Sequence, residues 1–149
     1  MDIQTEIILL PRLVLSVVLG VLIGIDRQIH GMEAGIRTYA AVCLGATLIT
    51  IINSHIEVAD QTRIVANIVS GIGFLGAGII FRDSSNNFIS GLTTAATVWA
   101  TAGVGIAVGY GMYLISITST ILIVLLLISH HLPFLKKKHK KIIQWKNYR

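Results

Sequence analysis

The sequence predicts an all-α fold, a polytopic membrane bundle of about five transmembrane helices that form two tandem helical hairpins. Its composition is 54% hydrophobic and only 13% charged, whereas soluble domains carry about 25% charged residues. Several apolar runs approach the roughly 20 residues that cross a bilayer as a helix. Glycine recurs inside these runs, and small residues let helices approach closely in lipid. A soluble protein with an unusually apolar core explains these features less well.

The first predicted span covers residues 7–25. Pro11 falls near its first turn, where a missing backbone N–H is tolerated. Gly20 and Gly24 form a GxxxG pair, which predicts a contact face for another helix. We expect the Arg12 side chain to extend to the nearer membrane surface.

The second and third predicted spans cover residues 36–52 and 64–81. The third span contains no charged residue, and it repeats glycine after two polar side chains. Interior glycine weakens a helix in water by roughly 1 kcal/mol per residue, but in lipid it favours close contact between helices. We therefore expect this span to be the central packing helix. Its predicted packing residues are Asn67, Ser70, Gly71, Gly73, Gly76 and Gly78.

Gly71, Gly73 and Gly76 also match G-x-G-x-x-G, the spacing of a dinucleotide-binding turn. That turn needs a strand before the first glycine, a helix that opens after it, and an acidic residue about 20 positions further on. Here the glycines lie inside one apolar run, and Asp83 comes too soon. We therefore favour membrane packing.

The fourth and fifth predicted spans cover residues 92–110 and 112–129. A polar connection at 82–90 precedes them, and residues 84–87 within it have the composition of a plain turn. The fifth span is rich in leucine and isoleucine, so we expect it to be the most exposed to lipid. The chain divides into a transmembrane domain at 1–133 and a basic tail at 134–149.

Basic residues predict the orientation of the bundle, because cytoplasmic loops carry an excess of lysine and arginine. The tail holds seven of the twelve basic residues and directly follows an apolar span. We therefore place it in the cytoplasm, against anionic lipid rather than on nucleic acid. Five spans then put the loops with Arg27 and Arg82 on the same side. This arrangement leaves only Arg12 and Arg63 outside, together with the N-terminus.

A faint internal repeat relates the two predicted hairpins. The segment GIRTYAAV at 35–42 is similar to GLTTAATV at 91–98, and a charged pair precedes each segment. Hairpins of a parallel repeat share one orientation, so both polar turns are expected on the cytoplasmic face. Chance similarity among small residues is the alternative.

The ionisable residues near the spans lie at their ends, and charges beside a membrane are candidates for function. We expect two acidic and two basic side chains to pair across the polar turns: Asp26, Asp83, Arg37 and Arg82. Helix starts with hydroxyl side chains also favour anions or carboxylates. The full predicted site comprises Asp26, Arg27, Arg37, Thr38, Arg82, Asp83, Thr93 and Thr94. The alternative is that these residues cap helices and anchor them at the membrane interface.

A metal site has little support in the sequence. Magnesium prefers oxygen ligands, and only Asp26 and Asp83 offer carboxylates near the membrane. We therefore expect no cofactor, with magnesium as the one candidate ligand. His130 and His131 are adjacent and point about 100° apart on a helix, which makes a poor zinc site. No Ser/His/Asp or Cys/His pattern is available for catalysis, so the sequence predicts a protein that is not an enzyme.

Four motifs follow one another along the chain. They are GVLIGIDR at 20–27, AGIRT at 34–38, RIVANIVSGIGFLGAGII at 63–80 and GLTTAATVW at 91–99. Together they resemble the MgtC/SapB family over most of residues 7–113. Asp26 stands where the family commonly has Glu, and Asn67 where Gln often occurs. The resemblance concerns the transmembrane domain only, and we expect the C-terminal soluble domain of many members to be missing here.

The resemblance implies a multi-pass protein of the bacterial plasma membrane. Members are associated with growth in low magnesium and, in pathogens, with survival inside macrophages. Some are thought to modulate the ATP synthase or the membrane potential. We therefore expect a non-enzymatic regulator that forms homo-oligomers in the lipid bilayer, binds a membrane partner such as the ATP synthase, and does not bind nucleic acid. The alternative is a transporter or channel for magnesium or another small ion or solute.

Overall fold

The computed structural model describes residues 3–55, 61–83 and 88–129, and within these ranges the chain is a helix bundle. Its helices are α1 (Ile3–Ile29), α2 (Ile36–His55), α3 (Gln61–Ile79), α4 (Leu92–Gly109) and α5 (Tyr113–Ser129). The all-α fold class is confirmed. Helices α1 to α4 are long and apolar enough to cross a membrane, and α5 is an apolar helix of 17 residues. The chain is therefore a membrane protein; its basic tail, with His130 and His131, lies outside the described residues.

A short β-hairpin occupies the connection between α3 and α4. Strand β1 (Phe81–Asp83) pairs antiparallel with strand β2 (Phe88–Ser90), and Arg82 lies opposite Ile89. The turn predicted from residues 84–87 lies outside the described residues, and the ends of the predicted connection at 82–90 are strands instead of loop. The physical reason is composition, because phenylalanine and isoleucine on both sides of the serines and asparagines favour paired strands.

Helices α1 and α2 form an antiparallel hairpin with their backbones in close contact. A Cβ atom on Gly20 would lie 2.7 Å from Ala40 Cα, and one on Gly24 would lie 2.6 Å from Ile36 Cα. Both distances are shorter than a van der Waals contact, so these two positions require glycine. The GxxxG pair therefore lies where the two helix backbones meet.

The α2–α4 seam is the centre of the bundle, and we define it by Tyr39, Thr47 and Thr50 of α2 with Gly105 and Gly109 of α4. Thr47 Oγ1 donates a hydrogen bond to Gly105 O at 2.8 Å. A Cβ atom on Gly109 would lie 2.5 Å from Thr50 Cβ. Residue numbers rise together along this contact, so α2 and α4 run parallel. The three α2 side chains are fully buried.

Equivalent contacts in the two hairpins support the internal repeat. A Cβ atom on Gly20 would lie 2.7 Å from Tyr39 O, and one on Gly76 would lie 3.9 Å from Ala95 O. Gly20 and Gly76 are 56 positions apart, as are Tyr39 and Ala95 and the two similar segments of the sequence. The chain therefore contains two parallel hairpins, with α3 packed more loosely on α4 than α1 is on α2.

Helix α3 lies at the edge of the bundle, so the prediction that it is the central packing helix is wrong. Its isoleucines face the core, through Ile64, Ile68 and Ile72. Three glycines of α3 lie on its other faces: Gly71, Gly73 and Gly78. A Cβ atom added to any of them would meet no atom of the described chain within 4 Å. Isoleucine buries more apolar surface than glycine, and this difference turns the glycines away from the core.

Gly105 and Gly103, two positions apart on α4, provide a matched test of the seam. Gly105 abuts the Cys43 carbonyl, whereas an added Cβ atom at Gly103 would meet nothing within 4 Å in the described part of the chain. We expect Gly105→Val to lower the free energy of unfolding by about 1–3 kcal/mol, because overpacking forces the helices apart. Gly103→Val should change it by less than about 0.5 kcal/mol. Denaturant titration in detergent micelles, followed by circular dichroism, compares the variants, and equal losses would contradict this account.

Candidate functional site

Polar side chains gather at one end of the bundle, which we name the polar end. A cavity of about 390 Å³ lies there, between the C-terminus of α1, the start of α4 and the last turn of α5. Its polar lining includes Arg27, Glu33, Thr93 and Thr94, and its apolar lining includes Leu127. Two hairpins of one orientation thus bring their charged turns to the same place.

A buried ion pair lies at the C-terminal end of α1. Arg27 donates from Nη2 and Nε to Asp26 Oδ2 at 2.6 and 3.0 Å, and the two side chains are 5% and 11% exposed. His30 Nδ1 lies 3.4 Å from Asp26 Oδ1. A charge this deeply buried is costly unless it is paired. The negative end of the α1 dipole also stabilises a cation in the last turn of the helix. The pair therefore fixes the guanidinium beside the cavity.

The start of α4 receives a carboxylate from the other hairpin. Gly91, with a φ of 82°, precedes the helix and gives it no side-chain cap. Thr94 Oγ1 donates to Glu33 Oε2 at 3.0 Å, which brings a negative charge to the positive end of the α4 dipole. Glu33 is exposed, whereas Thr94 is buried. The contact links the α1–α2 connection to the start of α4.

A second link crosses the α2–α4 seam near the polar end. Tyr39 Oη and Thr97 Oγ1 form a hydrogen bond of 2.6 Å, and Thr97 Oγ1 also donates to Thr93 O at 2.9 Å. Tyr39 is fully buried, and a buried tyrosine hydroxyl needs such a partner. Together with the Thr94–Glu33 contact, this makes two hydrogen bonds between the first hairpin and the start of α4.

The predicted site residues share the polar end but occupy different positions there. Arg37 and Thr38 are exposed and line a separate cavity of about 500 Å³. Arg82 and Asp83 belong to β1, and their side chains lie outside the described structure. Asp26 pairs with its neighbour in α1, so the expected pairing across the two turns stays a prediction.

Glu33 and Tyr39 were missed as site residues by the sequence reasoning. Each has its partner on α4, about 60 positions away, at separations of 61 and 58 residues. Periodicity gives no sign of such contacts. The repeat gives a partial sign, because two parallel hairpins bring the α1–α2 connection and the start of α4 to the same end of the bundle.

Arg12 lies near the opposite end of the bundle and binds the C-terminal end of α4, and its extension to the membrane surface stays a prediction. Its Nη1 donates to Gly109 O at 2.8 Å, and its guanidinium carbon lies 5.9 Å from the centre of the Tyr113 ring. The carbonyls at a helix C-terminus attract a cation, which explains this contact. Arg12 therefore joins α1 to the α4–α5 connection.

The residues predicted to mediate helix packing fall into two groups. Gly20, Gly24 and Gly76 contact a neighbouring helix. Asn67 and Ser70 are exposed on α3. The second group lies on the open faces of that helix, with the three glycines that have no neighbour in the described chain.

Metal binding is not supported by any cluster of three His, Cys, Asp or Glu side chains among the described residues. Asp26 has its carboxylate beside Arg27, and the Asp83 side chain lies outside the described structure. Magnesium as a ligand stays a prediction from the sequence.

Comparison with known proteins gives consistent matches over most of the chain. The MgtC family model matches residues 13–133. The chain is 43% identical to Protein MgtC of Salmonella typhimurium over 112 residues, which cover 75% of this chain and 48% of that protein. It is 37% identical over 134 residues to the Escherichia coli K12 protein named "Putative magnesium transporter YhiD", covering 83% of this chain and 61% of that protein. It thus spans about half to three-fifths of the length of these relatives. No solved structure matches it.

Asp26→Asn tests the buried ion pair. We expect it to lower the free energy of unfolding by about 3–5 kcal/mol, because Arg27 then stays buried without its counter-charge. Adding Arg27→Met should recover most of this loss, since the buried charge is gone while the side-chain length is kept. Glu33→Gln is the control, and we expect it to cost about 1 kcal/mol or less, because its carboxylate is exposed. Unfolding in detergent measures all three, and a loss that Arg27→Met does not reduce would contradict the pairing.

Proposed function

The chain belongs to the MgtC family, and from this premise we propose that it is a non-enzymatic regulator in the bacterial inner membrane. In this proposal it responds to magnesium limitation or to membrane energetics by binding another membrane protein. The polar end faces the cytoplasm, in accordance with the distribution of basic residues. The bacterial origin of the relatives, and the reference to magnesium in one of their names, support this assignment.

The α2–α4 seam is the observation that carries the proposal. Gly105 and Gly109 bring α4 directly against α2, and buried hydroxyl side chains fill the contact. Direct contact between helix backbones leaves no room for a hydrated ion along the seam. The buried charge of Arg27 is likewise matched within the chain, by Asp26. Both features support a protein that acts through its surface.

The exposed part of the polar end is the surface that we assign to the partner. Arg37 and Thr38 are exposed at the start of α2, where a cationic side chain and the positive end of the helix dipole coincide, and Thr93 is exposed at the start of α4. Such a surface attracts an acidic segment of another protein. The family resemblance suggests the ATP synthase as that partner. A role in survival inside host cells follows from the resemblance alone and stays a prediction.

A transporter for magnesium or another small ion is the second candidate. Two observations favour it, namely the name of the Escherichia coli relative and the cavity at the polar end, which has Glu33 in its lining. In that mechanism Glu33 attracts the cation and the threonine hydroxyls of α4 replace part of its water shell. The arrangement requires a path past the seam that opens during transport.

Flux through sealed vesicles separates the two candidates. We expect purified protein in vesicles, under a magnesium gradient and a membrane potential, to give the same uptake as empty vesicles, because the seam is closed. A saturable uptake that Thr93→Val reduces would instead establish the transporter. Thr93 suits this comparison, since its side chain is exposed and lines the cavity, so the variant keeps the fold.

Growth in limiting magnesium tests the regulator directly. We expect Arg37→Ala to abolish the growth advantage that the wild-type gene confers on a deletion strain, because the exposed guanidinium contacts the partner. Leu114→Ala, at a lipid-exposed position of α5, is the matched control and should support growth fully. Normal growth with Arg37→Ala, at equal protein levels, would show that this surface binds no partner.

A further inference from the structure

The α2–α3 groove is an apolar cleft of about 500 Å³ on the edge of the bundle. Its walls include Ala41, Gly45 and Ile49 of α2 and Asn67, Gly71 and Leu75 of α3. Among the described lining residues, Asn67 is the one with a polar side chain. The groove differs from the polar end in chemistry and lies on another part of the chain.

The internal repeat shows that a groove of this kind accepts a helix. In the repeat, α1 is equivalent to α3 and α2 is equivalent to α4. The α2–α3 groove is therefore equivalent to the groove between α4 and α1. Helix α5 packs in that second groove, against both α1 and α4, and buries Ser116, Thr120, Ile123 and Leu127. The α2–α3 groove is therefore the equivalent seat, and no described helix of this chain fills it.

Helix α3 has little of its surface buried by the other helices of the described chain. Only 6% of its span is buried, compared with 33–56% for the spans in α1, α2 and α4. Asn67, Gly71, Phe74 and Gly78 follow the spacing i, i+4, i+7 and i+11, which places them on one face. Phe74 is 83% exposed, and the two glycines have open space before them. This face of α3 can therefore receive another helix at close range.

The Asn67 amide on this face needs a hydrogen-bond partner, which lipid chains cannot provide. Its side chain is exposed and makes no hydrogen bond with the described part of the chain. It lies about 9 Å along the helix from Gln61. An amide in hydrocarbon without a partner is costly, and asparagine pairs with polar groups of neighbouring membrane helices. The occupant of the groove must therefore be a helix that offers both a donor and an acceptor at this depth.

We propose that the occupant is α3 of a second copy of this chain. A two-fold axis along the membrane normal keeps both copies inserted in the same orientation and brings identical residues together at the same depth. An asparagine amide is both donor and acceptor, so two Asn67 side chains satisfy each other across the axis. Gly71 and Gly78 let the two α3 helices approach, and each helix then lies in the other copy's α2–α3 groove.

Arg63 is compatible with this dimer. It lies one turn before Asn67 on the same side of α3 and is exposed. Two such residues near the axis repel each other, but they lie at the start of the helix, where water and salt screen the charge. The favourable contacts lie deeper in the membrane, where no screening occurs.

Energy transfer between donor- and acceptor-labelled copies in vesicles tests the proposal. We expect dimers at high protein-to-lipid ratio, and we expect Gly71→Leu to raise the dissociation constant about tenfold or more. Gly71 suits this test, because an added side chain meets nothing in the described chain and the monomer fold is kept. Gly103→Leu is the matched control, since that position is equally open, and it should leave the constant unchanged. Asn67→Leu should weaken the dimer by a similar factor, and Asn67→Gln should weaken it less.

Disulfide formation tests the same contact in native membranes. In a Cys43→Ala background, Phe74→Cys should yield an oxidised dimer, whereas Leu114→Cys on α5 should not. Equal cross-linking at the two positions, a wild-type chain that stays monomeric at every lipid ratio, or equal effects of Gly71→Leu and Gly103→Leu would each overturn the proposal. Capture of a different protein at Phe74→Cys, with no dimer of this chain, would also overturn it.

Discussion

Close backbone contact between α2 and α4 is the constraint on which the rest of the fold depends. Gly105 and Gly109 permit this contact, and Thr47 reinforces it with a hydrogen bond to a main-chain carbonyl. Because α2 and α4 are parallel, each one pairs with the antiparallel helix that precedes it in the chain, on its outer side. That requirement places α1 and α3 on opposite sides of the seam and brings both charged turns to one end. The polar end is thus a consequence of how the centre packs.

The polar end combines a rigid part with an accessible part. The ion pair of Asp26 and Arg27 is buried and supplied entirely by α1, while Glu33 reaches from an exposed connection to Thr94. A site built in this way can present a fixed charge pattern to a partner without rearranging its core. This division of roles is the basis of the recognition surface in the proposed function.

The sequence predicted the helices well, and it predicted the role of glycine better in α1 than in α3. Apolar runs of transmembrane length mark each helix to within a few residues, and the GxxxG spacing marks the face of α1 that meets α2. The central position predicted for α3 was wrong because abundant glycine indicates that a close approach is feasible, not which helix makes it. The isoleucines on the opposite side of α3 decide that question, and their effect depends on the shape of the core.

The site was predicted in position more than in detail. Charges at the ends of apolar runs indicate the polar end without any structure. The partners of Glu33, Tyr39 and Arg12 lie far along the chain, and hydrogen bonds of that kind depend on the relative placement of helices. The repeat between residues 35–42 and 91–98 was the one sequence feature that carried such long-range information.

The two arginines of α1 have a consequence for how the bundle assembles. Arg27 binds Asp26 of the same helix, so its charge is matched before any other helix is in place. Arg12 binds the end of α4, and it gains this partner only once α4 has packed beside α1. The two ends of α1 therefore differ: one is complete on its own, and the other depends on insertion of the later helices.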